Sequence, residues 1–177
     1  MKVTSTVRPT TDNVIPIGII ISDNSYNEFD FKKYWRVIGL KYMTSNGPST
    51  SISYMSWGPI NNSVPNTDDD DGLNNTIAIS DTGNLSLYPA AYQCLQYSTI
   101  GTNAGDWYLG SKYELDEFAY NCEEIVNEQL AALQTDYSSY CMASLPTTYD
   151  CGYWTSNEVD QDYADTAHYV DETTGDS

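Results

Sequence analysis

One stretch constrains the fold more than any other. Ser111 is followed three residues later by Glu114. In that pairing a serine hydroxyl receives the amide of the third helical residue while the glutamate reaches back to the serine amide. Leu115, Phe118, Cys122, Ile125, Val126, Leu130 and Leu133 then recur at three- and four-residue steps, which lines one face of a helix. The spacing predicts a helix from the Ser111 cap to about residue 134, with Asp116, Glu117, Glu123, Glu124 and Glu128 on its other faces. A helix with one apolar stripe has to lay that stripe on a second layer.

The rest of the chain is suited to supply short strands and loops. Of its residues 16 are tyrosine, and the polar remainder is mostly Ser, Thr, Asn and Asp, a mixture that favours strands and turns. Residues 14–21 and 34–43 are rich in β-branched and aromatic types and bounded by the polar stretches 22–27 and 45–51, so both are expected as strands. Residues 51–57 alternate well enough for a further strand. The Gly-, Pro-, Asn- and Asp-rich residues 58–76 read as a long loop. Pro89 suits a first helical turn, because its missing amide hydrogen would be unpaired there anyway, and a short helix over 89–97 follows. Towards the end, short strands are expected around 153–156 and 167–171. The resulting class is α+β, with two helices and short, mostly antiparallel strands linked by long loops. Residues 1–13 lack apolar periodicity and read as an arm, leaving 14–177 as one domain, long enough to bury roughly 70% of the surface its unfolded chain exposes.

Charge narrows the partners. With 25 acidic residues against 7 basic ones the net charge is -18, which repels phosphate backbones and anionic membranes. The distribution is uneven. Lys2, Arg8, Lys32, Lys33, Arg36 and Lys41 face only Asp12, Asp23, Glu28 and Asp30 in the first 41 residues, whereas Lys112 stands alone against the remaining acids. A near-neutral base thus carries an acidic body, serving either solubility or a partner. The most apolar run, residues 14–21, is far short of the ~20 residues of a membrane helix. Its flanks, with Arg8, Pro9 and Asp12 before it and Asp23 after it, do not fit a signal peptide either. Without an export address, Cys94, Cys122, Cys141 and Cys151 are expected as thiols. Their spacing forms no zinc motif. Cys94 and Cys122 read as core residues, and Cys141 and Cys151 flank a polar loop across which they would bridge if oxidised.

No catalytic motif emerges. The run Asp68, Asp69, Asp70, Asp71, Gly72 invites calcium, but placing Gly72 at the sixth position of an EF-hand loop puts Thr67 first and Ala78 twelfth, where acids are required. A calcium site of another kind and a solvated acidic turn remain, the second being simpler, and no metal is assigned. His168 is the single histidine and has no nucleophile motif around it. Carboxylates are too plentiful to single out a glycosidase pair, and there is no glycine-rich phosphate loop. No catalytic residue and no cofactor is expected. Tyr137, Tyr140, Tyr149, Tyr153, Tyr163 and Tyr169 are interleaved with small polar residues. Such a mixture serves binding surfaces and equally a β-rich core.

Four pieces in order carry a resemblance: the strand 16–21 (PIGIII); Trp57 and Gly58 with Asp71, Gly72, Asn75 and Thr76; residues 106–115 (DWYLGSKYEL); and residues 153–158 (YWTSNE). Over residues 15–170 the chain resembles the Lcl C-terminal-like domain, a C-type-lectin-like fold of bacterial surface adhesins and phage fibre or decoration proteins. By that resemblance Trp107 and Trp154 are core anchors, and binding rather than chemistry is implied. Gly110 stands where the family usually has proline, and the chain stops where members continue into a final strand. A neighbouring subunit or the arm is expected to fill that edge. The ligand face is expected on Tyr153, Asn157, Glu158, Asp160, Asp162, Tyr163, His168 and Tyr169, toward a host glycan or protein. The arm would join other virion subunits, and a homo-oligomer assembled in the bacterial cytoplasm is expected, with neither nucleic acid nor membrane insertion. An exported adhesin is the first alternative. An enzyme of the formylglycine-generating type is the second, although its paired cysteines have no matching motif around Cys141 or Cys151.

Overall fold

The computed structural model describes residues 16–21, 36–59, 63–65, 67, 70–145, 153–160 and 163–167. Strand β1 (Gly18–Ile21) pairs antiparallel with β2 (Arg36–Gly39), from Gly18 opposite Gly39 to Ile21 opposite Arg36. Strands β3 (Tyr42–Thr44) and β4 (Gly47–Ser49) form a second antiparallel pair. Three helices follow: α1 (Gly72–Asp81), α2 (Pro89–Gln96), preceded by a 3-10 turn at Leu85–Leu87, and α3 (Lys112–Tyr137). A third antiparallel ribbon joins β5 (Tyr153–Asp160) to β6 (Tyr163–Ala167). The architecture is therefore mixed α and β.

Helix α3 forms as its sequence requires. Ser111 Oγ accepts the Glu114 amide at 3.2 Å, and Glu114 Oε2 accepts the Ser111 amide at 2.9 Å. Glycine at position 110 leaves this capping box intact. Val126 and Leu130 are buried, with Leu133 packed beside them. At the far end, the Gln134 side-chain amide donates to the carbonyls of Cys141 and Met142 at 3.0 and 2.9 Å. That pins the returning chain across the last turn. The Asn127 side-chain carbonyl accepts the Leu145 amide at 2.7 Å and fixes the same segment further on.

Several expectations are corrected. Residues 34–43 do not make one strand: Leu40 and Lys41 interrupt it. Leu40 turns into the core, and its carbonyl accepts the Met142 amide at 2.8 Å instead of extending a ladder. Residues 45–51 are not merely a polar boundary, because β4 lies within them. The Thr44 hydroxyl donates to the Gly47 carbonyl at 2.8 Å and accepts the Asn46 amide at 3.2 Å, and Gly47 takes a φ of 99°. This positive φ is readily available only to glycine. Residues 51–57 form no strand, since no ladder partner lies beside them among the described residues. In the C-terminal part β6 covers Tyr163–Ala167, and of the expected strand 167–171 residues 168–171 lie outside the described residues.

The largest correction is α1, which begins within the expected loop 58–76 and makes three α-helices among the described residues where two were expected. Asp71, the last aspartate of the acidic run, is its N-cap, with Oδ1 accepting the Asn74 amide at 2.9 Å and Oδ2 accepting the Asn74 side-chain amide at 2.6 Å. Its buried face is Gly72, Asn75, Thr76 and Ile79, while Leu73 and Ile77 face outward. Hydropathy periodicity cannot detect a helix whose buried stripe is mostly polar.

Two apolar clusters fill the interior. The first joins Ile19 and Leu40 to Val126 and Leu130 of α3 and to Cys141, Met142 and Leu145. The second gathers Trp57, Val64, Ile79, Tyr88, Ala90, Ala91 and Leu109, with Cys94 and Trp154 packed against it. Cys94 and Cys141 are free thiols. Cys94 belongs to the core as expected. Cys122 lies on α3, and Cys151 lies outside the described residues.

Burial pushes the Cys94 thiol from 9.0 up to about 12. An unfolded chain would release this proton above pH 9 while the folded chain keeps it, so this thiol contributes a loss of stability as pH rises from 9 toward 12. Two results are expected: Cys94 should resist Ellman's reagent at pH 8 until denaturant is added, and Cys94→Ala should flatten the alkaline fall of the urea midpoint. Rapid labelling of Cys94 in the native protein would contradict this placement.

Candidate functional site

Strand β5 carries the motif in which the ligand face was expected, and its residues 154–158 tie five parts of the molecule together. The Trp154 indole donates to the Met55 carbonyl at 2.6 Å, and the Trp57 indole donates to the Thr155 carbonyl at 2.7 Å. Trp57 also meets Tyr88 edge-to-face, with ring centroids 5.5 Å apart. The next residue, Ser156, reaches two ways. Its amide donates to the Gly110 carbonyl at 2.8 Å and its hydroxyl accepts the Asn75 side-chain amide at 3.1 Å. Asn157 Oδ1 accepts the Lys112 amide at 2.6 Å, at the start of α3. Glu158 Oε2 accepts the Val64 amide at 2.6 Å and the Ser63 hydroxyl at 3.2 Å. The indole, amide and carboxylate groups of this strand and its neighbours are engaged in joining elements.

Helices α1 and α3 begin beside this strand. The Thr76 hydroxyl lies 2.7 Å from the Gly72 carbonyl and 3.1 Å from that of Leu109, and it accepts the Leu109 amide at 3.1 Å. Helix N-termini attract negative charge and oxygen acceptors through their unpaired amides. Here those acceptors are internal: Asp71 for α1, Ser111, Glu114 and Asn157 for α3. Asn75, Thr76, Thr155 and Ser156 are each 0% exposed, so this is a buried polar seam, of the kind that specifies one arrangement when its groups are paired. The Glu158 charge reaches this interior as well. Burial first, and then the Glu158 carboxylate, hold the Tyr88 phenol above its ordinary range.

The eight expected ligand residues separate accordingly. Asn157 is 2% exposed and holds the α3 cap, which gives it a structural task instead of a place on an outer face. Glu158 is half-buried and pins residues 63 and 64. Tyr153 is half-buried at the start of the ribbon, where it pairs with Ala167. Asp160 and Tyr163 are cross-strand partners at the other end of β5 and β6. Asp162, His168 and Tyr169 lie outside the described residues, as do Asp68 and Asp69 of the acidic run. Of the two expected tryptophan anchors, Trp154 packs against the second cluster. Trp107 is half-buried, with its ring 5.0 Å from that of Tyr97 and its indole donating to the Thr102 hydroxyl at 2.9 Å.

Sequence reasoning missed Asn75 as the partner of Ser156 and Trp57 as the partner of Thr155. Those pairs are separated by 81 and 98 residues, and no local pattern reports such a distance. Among the described residues no group of three or more His, Cys, Asp or Glu side chains is arranged to hold a metal ion, and no helix is long and apolar enough to cross a membrane. No family, no curated protein and no solved structure matches the chain.

Proposed function

We propose that the chain is a non-enzymatic virion structural or decoration protein, of head- or tail-fibre type, built on a C-type-lectin-like domain that presents a binding face to a host glycan or protein. The observation that supports this reading is the engagement of residues 154–158 in the scaffold. A strand tied at five points holds the β5–β6 ribbon rigidly, and binding residues on rigid elements keep their geometry. On this reading Asn157 and Glu158 are positioning residues. The ligand face falls to Tyr153, Asp160, Asp162, Tyr163, His168 and Tyr169. The arm of residues 1–13, with Lys2 and Arg8, attaches the domain to other virion subunits.

The test is a double substitution, Asp160→Ala with Tyr163→Ala, read by glycan array and by binding to a panel of bacterial cells. The wild-type chain should retain a defined ligand class, and the double variant should lose at least about tenfold in affinity, as expected for removal of an aromatic and a charged contact, with an unchanged thermal midpoint. Binding that survives the double substitution would remove the ribbon end as the ligand face.

A further inference from the structure

We propose that residues 51–56 are the edge at which two copies of this chain pair, by antiparallel strand addition about a twofold axis near Ser53. The segment is exposed, with Ile52 at 54% and Tyr54 at 88%, while Trp57 is buried. Its sequence alternates as a strand does, yet it forms no ladder with any of the described residues. Among the described residues no backbone hydrogen bond from another backbone group reaches residues 51–56. The Met55 carbonyl accepts the Trp154 indole, which fixes the segment on the domain, and among the described residues no backbone acceptor serves the amides of residues 52–54. Unpaired backbone of this kind is a template for strand addition. The devices that normally blunt such an edge, lysine and proline, are absent from it.

Charge selects a second copy as the occupant. Two chains of net charge -18 repel one another, and they can approach only through surface that carries no acid, since screening acts over about 8 Å at physiological salt. Residues 42–67 and 82–105 contain no Asp, Glu, Lys or Arg. These two stretches adjoin in the fold: the Gln93 side chain donates to the Ser45 carbonyl at 3.3 Å, and Tyr88 packs on Trp57. The neutral surface around residues 51–56 thus continues onto the region of α2, where Leu87 and Tyr92 are exposed. That extension is needed, because six paired residues alone fall short of the roughly 800 Å² that each partner buries in a stable interface. A twofold arrangement closes the edge with one interface and generates no filament. The pairing does not depend on which ligand the domain binds.

Sedimentation velocity on the full chain over a range of concentrations tests this. The wild type should form a dimer. Ser53→Pro, which removes an edge donor, and the pair Ile52→Lys with Tyr54→Lys, which places charge on the edge, should each shift it to monomer with an unchanged thermal midpoint. Ser53→Cys should give a covalent dimer under copper phenanthroline, because residues facing each other across a twofold strand pair have Cβ atoms about 5 Å apart, whereas Ser86→Cys on the 3-10 turn should not. A wild type that stays monomeric at every concentration would overturn the pairing and assign the edge to another partner. A dimer that survives both edge variants would overturn it too.

Discussion

Trp57→Ala is expected to destabilise the protein by about 3–5 kcal/mol, the range for truncating a buried aromatic side chain. The ring is 8% exposed in the second apolar cluster, edge-to-face on Tyr88, and its indole N–H serves the Thr155 carbonyl. The substitution therefore opens a cavity and also leaves a buried carbonyl without that donor. Against a total of about 5–15 kcal/mol for a domain, such a loss removes a large part of the stability. The urea midpoint measures it. Trp57→Phe separates the two contributions, since it keeps much of the packing and deletes the hydrogen bond, and should cost about 1–3 kcal/mol for the unsatisfied group. An alanine variant within 1 kcal/mol of wild type would mean that Trp57 is not packed as described.

The second large effect is expected from a substitution that ordinarily favours helices. Replacing glycine by alanine inside a helix usually gains about 1 kcal/mol. At Gly72 the sign should reverse. A Cβ built there would stand 2.5 Å from the Ser111 amide nitrogen and 2.8 Å from the Leu109 carbonyl oxygen, and would also meet Glu114 Oε2. Two of those neighbours are backbone, so they cannot swing aside as a side chain would. Helix α1 would have to withdraw from the start of α3. The expected cost is about 1–3 kcal/mol, as for other overpacked sites, with the Asn75 to Ser156 hydrogen bond as the first contact to lengthen. Leu73→Ala, one residue on but exposed, should stay within about 0.5 kcal/mol. If Gly72→Ala raises the midpoint, the two helix starts do not meet as closely as the structure shows.

These two positions also mark where the sequence is readable and where it is silent. The long helix α3 is legible because its cap and its apolar stripe are both local, and α2 follows from Pro89. By contrast, α1 is hidden, since it buries Asn75 and Thr76 and turns Leu73 and Ile77 to solvent. Its partner is a polar seam, and polar seams leave no hydropathy trace. Residues 51–57 show the opposite failure: their alternation is real, but alternation reports fitness for a sheet and not the presence of a neighbouring strand. At the candidate site, the residue types at 153–158 suit ligand contact and internal bridging equally well. Only the positions of Lys112 and Val64, remote in sequence, show that Asn157 and Glu158 serve as internal bridges.

The knot of hydrogen bonds on β5 has a consequence for the order in which the chain can fold. Its ties to Trp57, Asn75 and Lys112 span 98, 81 and 45 residues, and contacts so distant in sequence slow folding because loop closure precedes any reward. During synthesis, α3 can form early from local signals, but the second cluster lacks Trp154 and the polar seam lacks Ser156 and Asn157 until residues 154–158 have left the ribosome. Assembly of the domain is thus held back until that strand emerges. A chain interrupted before residue 154 should then remain protease-sensitive even with α1, α2 and α3 encoded.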